Sequence, residues 1–268
     1  MKRILNIGDL HAGSLLAPWL PESDLPEGAH YQPNKFQRTL NQWWLKMVDE
    51  IGDCDVAVVG GDVIDGKNRR NAQLVTPLAS YQSRAAIDLL EPLLRKCQKA
   101  YFVTGTAWHE GDGSEDEAHV PKDLGAVYNE ARSNWFWPVL SLSMKPESRS
   151  VLQYAHHIGS TSNPMYETTA LLREAYTARI ELQKAYGARA PFVRGVIRFH
   201  RHRFLYVDKG GLFGVTVPGW QLQTEFGVKV APSSMPEIGY VIIEVDADNV
   251  SVKQRLFQLP PLHLEELC

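Results

Sequence analysis

Three short apolar runs, residues 3–7, 55–59 and 100–103, each stop close to a glycine and hand over to residues able to bind a metal ion. Asp9 and His11 follow Gly8, Asp62 follows Gly61, and Thr106 and His109 follow Gly105. Runs of this length and composition read as buried strands. Between the first two, residues 35–51 carry Phe36, Leu40, Trp43, Trp44, Met47 and Val48 at helical spacing ahead of Gly52, and a second helix is expected over 85–96. Strands alternating with helices specify an α/β protein, whose ligands collect at the carboxyl ends of the strands. Residues two apart on a strand point to the same side, so Asp9 and His11 can share one ion.

The second half is richer in strands. Residues 136–144 and 150–155 read as strands, the latter running into His156 and His157. A long helix is expected over 164–187, and a strand over 192–199 ends in His200-Arg201-His202. Residues 203–207, 212–217, 239–245 and 250–257 read as antiparallel strands. The order predicts an α/β fold built as a two-sheet β-sandwich flanked by helices, a single domain over 1–268 with no distinct cap. Residues 12–34, with Pro18, Pro21, Pro26 and Pro33, form a long loop near the strand ends.

Composition excludes several classes. A chain of 268 residues, 22% charged and 44% hydrophobic, has the make-up of a soluble globular protein with a sizeable core. Its net charge of -3 argues against a broadly basic nucleic-acid surface, so any polyanion contact is local. Cys54, Cys97 and Cys268 are too few and too scattered for a disulfide framework or a thiolate metal site. The apolar run after Met1-Lys2-Arg3 is too brief for a signal peptide or a membrane span. A cytoplasmic location is expected, with no membrane contact and no obligatory protein partner.

Collected in order, the strand-end residues are Asp9, His11, Asp62, His109, His156 or His157, His200 and His202. They supply enough oxygen and nitrogen donors for two ions of the manganese, iron or zinc type. Two such ions about 3.5–4 Å apart clamp a phosphoryl group and activate water at neutral pH. A single histidine is more often structural than a ligand. Six of the nine histidines, however, fall in these blocks.

Gly8-Asp9-Leu10-His11, Gly61-Asp62-Val63-Ile64-Asp65-Gly66, Gly105-Thr106-Ala107-Trp108-His109-Glu110, His156-His157 and His200-Arg201-His202 resemble, in this order, the five blocks of the calcineurin-like metallophosphoesterases. The resemblance spans residues 3–207, and the Gly-Thr-x-x-His third block is similar to that of small metallophosphoesterases of phages and bacteria. It implies a four-layer αββα architecture and hydrolysis of phosphate esters on two divalent ions, manganese foremost, with iron or zinc as alternatives. Carried over by position, Asp9, His11 and His202 hold the first ion and Asp62 bridges both. The second ion takes His200 and one of His156 and His157, with His156 favoured because it directly follows its strand.

The resemblance has two departures. Thr106 stands where the family has a metal-binding asparagine, which makes it a possible ligand or substrate contact, and His109 lies two residues farther on than the family's histidine. His109 is then either the proton donor to the leaving alkoxide or a ligand in place of the asparagine. Phe199 occupies the family's glycine position before the last block, a change expected to reshape the pocket wall.

Asp65 reads either as a turn residue before Gly66 or as a carboxylate that orients His109. Lys67, Arg69 and Arg70 are candidate contacts for a substrate phosphate or simply a solvated loop. Of Arg194, Arg198, Arg201 and Arg203, alternate positions face opposite ways, so only part of the set can face the site and a solvated strand edge is the alternative, with Arg201 turned away from the metals. Trp43, Trp44, Trp135, Trp137 and Trp220 read as packing rather than a base-stacking platform, and Glu115 and Glu117 as first-turn residues of a helix. The expected substrate is a phosphodiester of nucleic acid or a nucleotide. A small-molecule or protein phosphomonoesterase is the alternative within the class, and a catalytically silent binding scaffold is the alternative outside it.

Overall fold

The computed structural model describes residues 1–20, 23–25, 28, 30–67, 73–111, 118–145, 148–159, 164–230, 232–247 and 249–259. The elements in chain order are β1 (Lys2–Ile7), β2 (Ser23–Asp24), β3 (His30–Tyr31), α1 (Lys35–Glu50), β4 (Cys54–Val59), α2 (Ala79–Leu94) and β5 (Cys97–Val103). They continue through α3 (Ala107–Glu110), α4 (His119–Asp123), β6 (Phe136–Trp137), β7 (Leu140–Ser143), β8 (Ser150–Ala155) and α5 (Glu167–Tyr186). The chain closes with β9 (Phe192–Arg198), β10 (Leu205–Lys209), β11 (Leu212–Thr216), α6 (Glu225–Val230), β12 (Ile238–Asp246) and β13 (Asn249–Phe257).

Two sheets result, ordered β13-β12-β1-β4-β5-β6 and β10-β11-β9-β8-β7. β1, β4, β5 and β6 are mutually parallel, as are β8, β9 and β11. Alternation along each strand sorts the core into layers. Leu5, Ile7, Val59, Phe102 and Ile242 pack with Leu40, Trp44 and Met47 of α1 and with Leu89, Leu90 and Leu93 of α2. Their neighbours Ile4, Val58, Val103, Val241 and Ile243 face the second sheet, meeting Leu152, Tyr154, Ile197, Phe213 and Val215. On that sheet's far side, Leu171 and Ala175 of α5 cover Val193, Val196 and Leu212. The fold is therefore a β-sandwich between two helical layers, as the element order predicts.

Local chemistry sets most boundaries. Asn34 caps α1 by accepting from the N–H groups of Phe36 and Gln37, while the Gln37 side chain accepts from the Asn34 N–H. Two expectations are corrected. α2 begins at Ala79 rather than at 85, because its first turns bury Gln82 and Ser83 and so lack an apolar period. The strand expected over 136–144 is two strands in different sheets, separated at Pro138, which has no N–H to donate to a ladder. Within the loop read over 12–34, Trp19 is 2% exposed and joins the helix-side core. Among the described residues no helix is long and apolar enough to cross a membrane.

Candidate metal centre

β1 and β4 lie side by side in one sheet, and β8 and β9 side by side in the other, so four strand ends converge at one edge of the sandwich. Asp9 and His11 leave β1, Asp62 follows β4, His156 follows β8, and His200 and His202 follow β9. Asp9, His11, Asp62, His200 and His202 have φ of +50, +48, +48, +71 and +50°, five of the seven non-glycine residues with positive φ among those described. That region is disfavoured for residues with a Cβ, at roughly 1–3 kcal/mol each, and persists only where the surroundings impose it. Here they do. The Asp9 N–H donates to Gly61 O, the His11 N–H to Asp62 O and the His200 N–H to Asp9 Oδ2, all at 3.0 Å. Gly61, with φ of +88°, passes so close to Gly105 that a Cβ would stand 2.5 Å from the Gly105 Cα.

The donor atoms of Asp9, His11 and His202 lie within 4.8 Å of one another, as do those of Asp9, Asp62 and His156, of His156, His157 and His200, and of His11, Asp62 and His109. His11 Nε2 and His202 Nε2 are 3.2 Å apart, and His156 Nε2 is 3.2 Å from both His200 Nδ1 and Asp62 Oδ2. Asp9 Oδ1 is buried without a hydrogen-bond partner, 3.5 Å from His202 Nε2 and 3.9 Å from His156 Nε2. A buried, unpartnered carboxylate oxygen is costly unless a cation meets it, so the donor set fits a metal. Outer contacts aim the ligands: His156 Nδ1 donates to Gly60 O at 2.6 Å and His11 Nδ1 to Asp65 Oδ1 at 3.1 Å, which turns both Nε2 atoms inward.

Electrostatics agree. Burial pushes the Asp9 and Asp62 carboxyls up, but His202 beside the first and His156 beside both outweigh it, and both sit below the usual carboxylate range. Burial pushes His156 down, yet the charge and hydrogen bond of Asp62, with Asp9 behind, raise it to about 10. His11 is depressed, first by burial and then by neighbouring His109.

The third block wraps around Asp62 and Asp65. Thr106 turns its N–H and its hydroxyl onto Asp62 Oδ1, at 2.6 and 2.9 Å, and so orients that carboxylate. Asp65, 1% exposed, uses its carboxylate on His11 and on Gln221 Nε2, whereas it is its backbone carbonyl that accepts from His109 Nδ1 at 2.9 Å. Its carboxylate is 3.7 Å from that ring, so it orients His11 before His109, and the next residue's N–H, that of Gly66, donates to Gln82 Oε1 at 2.8 Å. Sequence reasoning missed Glu110. Only 1% exposed, it accepts from the N–H groups of Asp62 and Gly105 at 2.9 and 2.7 Å. An acid beside a glycine in a polar stretch carries no signal of burial, and Gln221, between Trp220 and Leu222, was missed because nothing in its local sequence points to its partner Asp65.

Phe199 does not shape the pocket wall. Its ring is fully buried in the layer between the sheets, over Gly8 and Gly60, where a Cβ on either glycine would overlap it. The arginines are not a solvated edge either: Arg198 is 2% exposed and bonded to Glu174 and Gln153, and Arg201 and Arg203 both pair with Glu167. Trp44 and Trp220 are core residues. His157 is exposed, its ring 5.0 Å from His156 and 4.9 Å from His200.

A cleft of about 630 Å³ opens over the centre, lined by His11, Asp62, Thr106, His109, His200 and His202 among others. Exposed Lys67 is not among its lining residues. Arg69, Arg70, Glu115 and Glu117 lie outside the described residues.

No protein-family profile and no curated protein matches the chain. Among solved structures it is similar to a single mutant of Vps29 from Entamoeba histolytica, at 13% identity over 96% of this chain and 99% of that one, with a TM-score of 0.43. Vps29 from Chaetomium thermophilum aligns at 15% identity over 97% and 100% of the two chains, with a TM-score of 0.42. A novel archaeal phosphodiesterase aligns at 9% identity over 94% and 99%, with a TM-score of 0.44. Likeness at this level carries no functional weight, which falls instead on the side chains at the strand ends.

Proposed function

We propose that this chain is a two-metal phosphoesterase of the calcineurin-like type, acting on a phosphodiester of a nucleotide or nucleic acid. One observation carries the proposal: the unpartnered Asp9 Oδ1, buried between the imidazoles of His202 and His156. Asp9, His11 and His202 would hold one divalent ion, and His156 and His200, with His157 at the rim, the other. Asp62 lies between the two sets. Oxygen and nitrogen donors without thiolate suit manganese, with iron or zinc as alternatives. When bound, such ions supply a nucleophile from water and neutralise phosphoryl charge.

The chain's own residues do the rest. Asp65 and the Gly60 carbonyl fix the tautomers of His11 and His156, while Thr106 and Glu110 fix Asp62. His109, its Nδ1 committed to the Asp65 carbonyl, has Nε2 left to protonate the departing alkoxide oxygen. Residues 1–268 are taken as one domain without a cap. In the test, the manganese-loaded chain is offered an aryl phosphodiester, an aryl phosphomonoester and DNA. His109→Ala is expected to lose about 10²–10⁴-fold in kcat with its metal retained. Loss of metal in that variant would make His109 a ligand, and no turnover of any substrate with substoichiometric metal in the unmodified chain would overturn the proposal.

A further inference from the structure

Far apart in the chain, Cys54 and Cys97 are brought together by the fold. Each is the first residue of its strand, Cys54 of β4 and Cys97 of β5, and the two stand directly opposite each other in that parallel pair. Neighbouring strands lie about 4.7–4.9 Å apart, within the roughly 4.4–6.8 Å between Cα atoms that a disulfide bridges. Both side chains lie on the helix side of the sheet, where Cys97 packs against the cluster that holds Cys54. Both are free thiols, at the edge of the sheet opposite the metal centre. We infer that Cys54 and Cys97 form a dithiol site that hydrogen peroxide oxidises to an intrachain disulfide and that a dithiol reductant restores.

The surroundings divide the roles of the two sulfurs. The Cys97 thiol is within hydrogen-bond reach of the Cys54 sulfur, and that contact holds the Cys54 thiol below its ordinary range against the push of burial. Arg3 adds to the pull: its Nη1 donates to the Asp53 carbonyl at 3.2 Å, which sets the guanidinium near Cys54. The same contact, with burial, pushes the Cys97 thiol up. A readily ionised thiol beside a cation and a second thiol is the arrangement of a nucleophilic cysteine and its resolving partner. Cys54 is 3% exposed, yet a cavity of about 310 Å³, lined by both cysteines with Asp53, Asp55, Arg95 and Lys96 among others, opens over the pair. A space of that size selects a small oxidant.

In the first step the Cys54 thiolate attacks one peroxide oxygen, the O–O bond breaks, and the other oxygen leaves as hydroxide, which takes up the proton that Cys54 released. In the second the Cys97 sulfur attacks the sulfenic sulfur of Cys54 and displaces hydroxide, which takes the Cys97 proton. Two thiols lose two electrons, and the peroxide becomes two waters. The test treats the unmodified chain with a small excess of hydrogen peroxide, then counts free thiols and weighs its proteolytic peptides. Two thiols per chain should disappear, one linked peptide should join Cys54 to Cys97, and dithiothreitol should return both thiols. In Cys97→Ser the resolving sulfur is gone, so a sulfenic acid on Cys54, trapped with dimedone, should build up well above its level in the unmodified chain. Cysteines 54 and 97 that stay reduced, that are overoxidised without a link, or that join only Cys268 or a second chain would overturn the proposal. The reading on the unmodified chain decides the matter even if the variant fails to fold, and it is independent of whether any ester is hydrolysed.

Discussion

Glu110 holds two backbone N–H groups, those of Asp62 and Gly105, in a place water does not reach. Truncating it strands both donors at about 1–3 kcal/mol apiece, so Glu110→Ala is expected to lower stability by roughly 2–6 kcal/mol and to reduce bound metal. Glu110→Gln keeps the acceptor oxygen and should retain most of both. Urea unfolding with metal analysis checks this, and an alanine variant as stable as the parent would contradict it.

His156 makes a second prediction at this scale. Raised to about 10 by Asp62 and Asp9 against the pull of burial, it is protonated at neutral pH in the metal-free chain and must lose that proton to bind a metal. Metal binding at pH 7.5 should therefore release protons, from His156 and from His202, which Asp9 also raises, and metal affinity should climb with pH up to about 10. Calorimetry in buffers of different ionisation enthalpy measures the release, and a value of zero would contradict the assignment. The residues gathered at the centre were legible because aspartate and histidine at strand ends announce their chemistry by type and place. Glu110, Gln82 and Gln221 were not, because their partners are backbone and side-chain groups on other loops.

At the scale of elements, the strand ends show how one residue type forces another. Phe199 fills the layer between the sheets where Gly8 and Gly60 leave room, so Gly60→Ala drives a methyl group into its ring. Overpacking of this kind costs about 1–3 kcal/mol, and Phe199→Ala, which leaves a cavity, about 3–5 kcal/mol. Combined, they should fall short of the sum, since the new methyl enters the space the ring vacates. Full additivity in thermal or urea unfolding would show that ring and glycine do not share that space. Elements with a clean apolar period were legible: β8 was read at its observed bounds, and α5 with its short lead-in as one helix. The start of α2 was hidden by buried polar residues, and the break at Pro138 by continuous apolar character on both sides of a sheet-to-sheet crossing.

In the whole molecule, each sheet contributes half of the centre. Asp9, His11 and Asp62 come from one sheet and His156, His200 and His202 from the other, so two ions held as proposed would tie the sheets together. Binding that favours the folded chain stabilises it by about 2.7 kcal/mol at a hundredfold excess over Kd. Manganese should therefore raise Tm and a chelator should lower it, with the effect reduced in Asp62→Asn. The layered order followed from the alternation of strands and helices. The pairing of β12 with β1, far away in sequence, did not, because register across such distances is settled by packing alone.

The most direct measurement counts metal and turnover together, in the unmodified chain and in Asp62→Asn, using an aryl phosphodiester. Two ions per chain with manganese-dependent hydrolysis, both sharply reduced by the substitution, is the predicted result. A chain that binds no metal above background, or that hydrolyses the ester equally well with Asp62 replaced, would contradict a two-metal phosphoesterase centre at these strand ends.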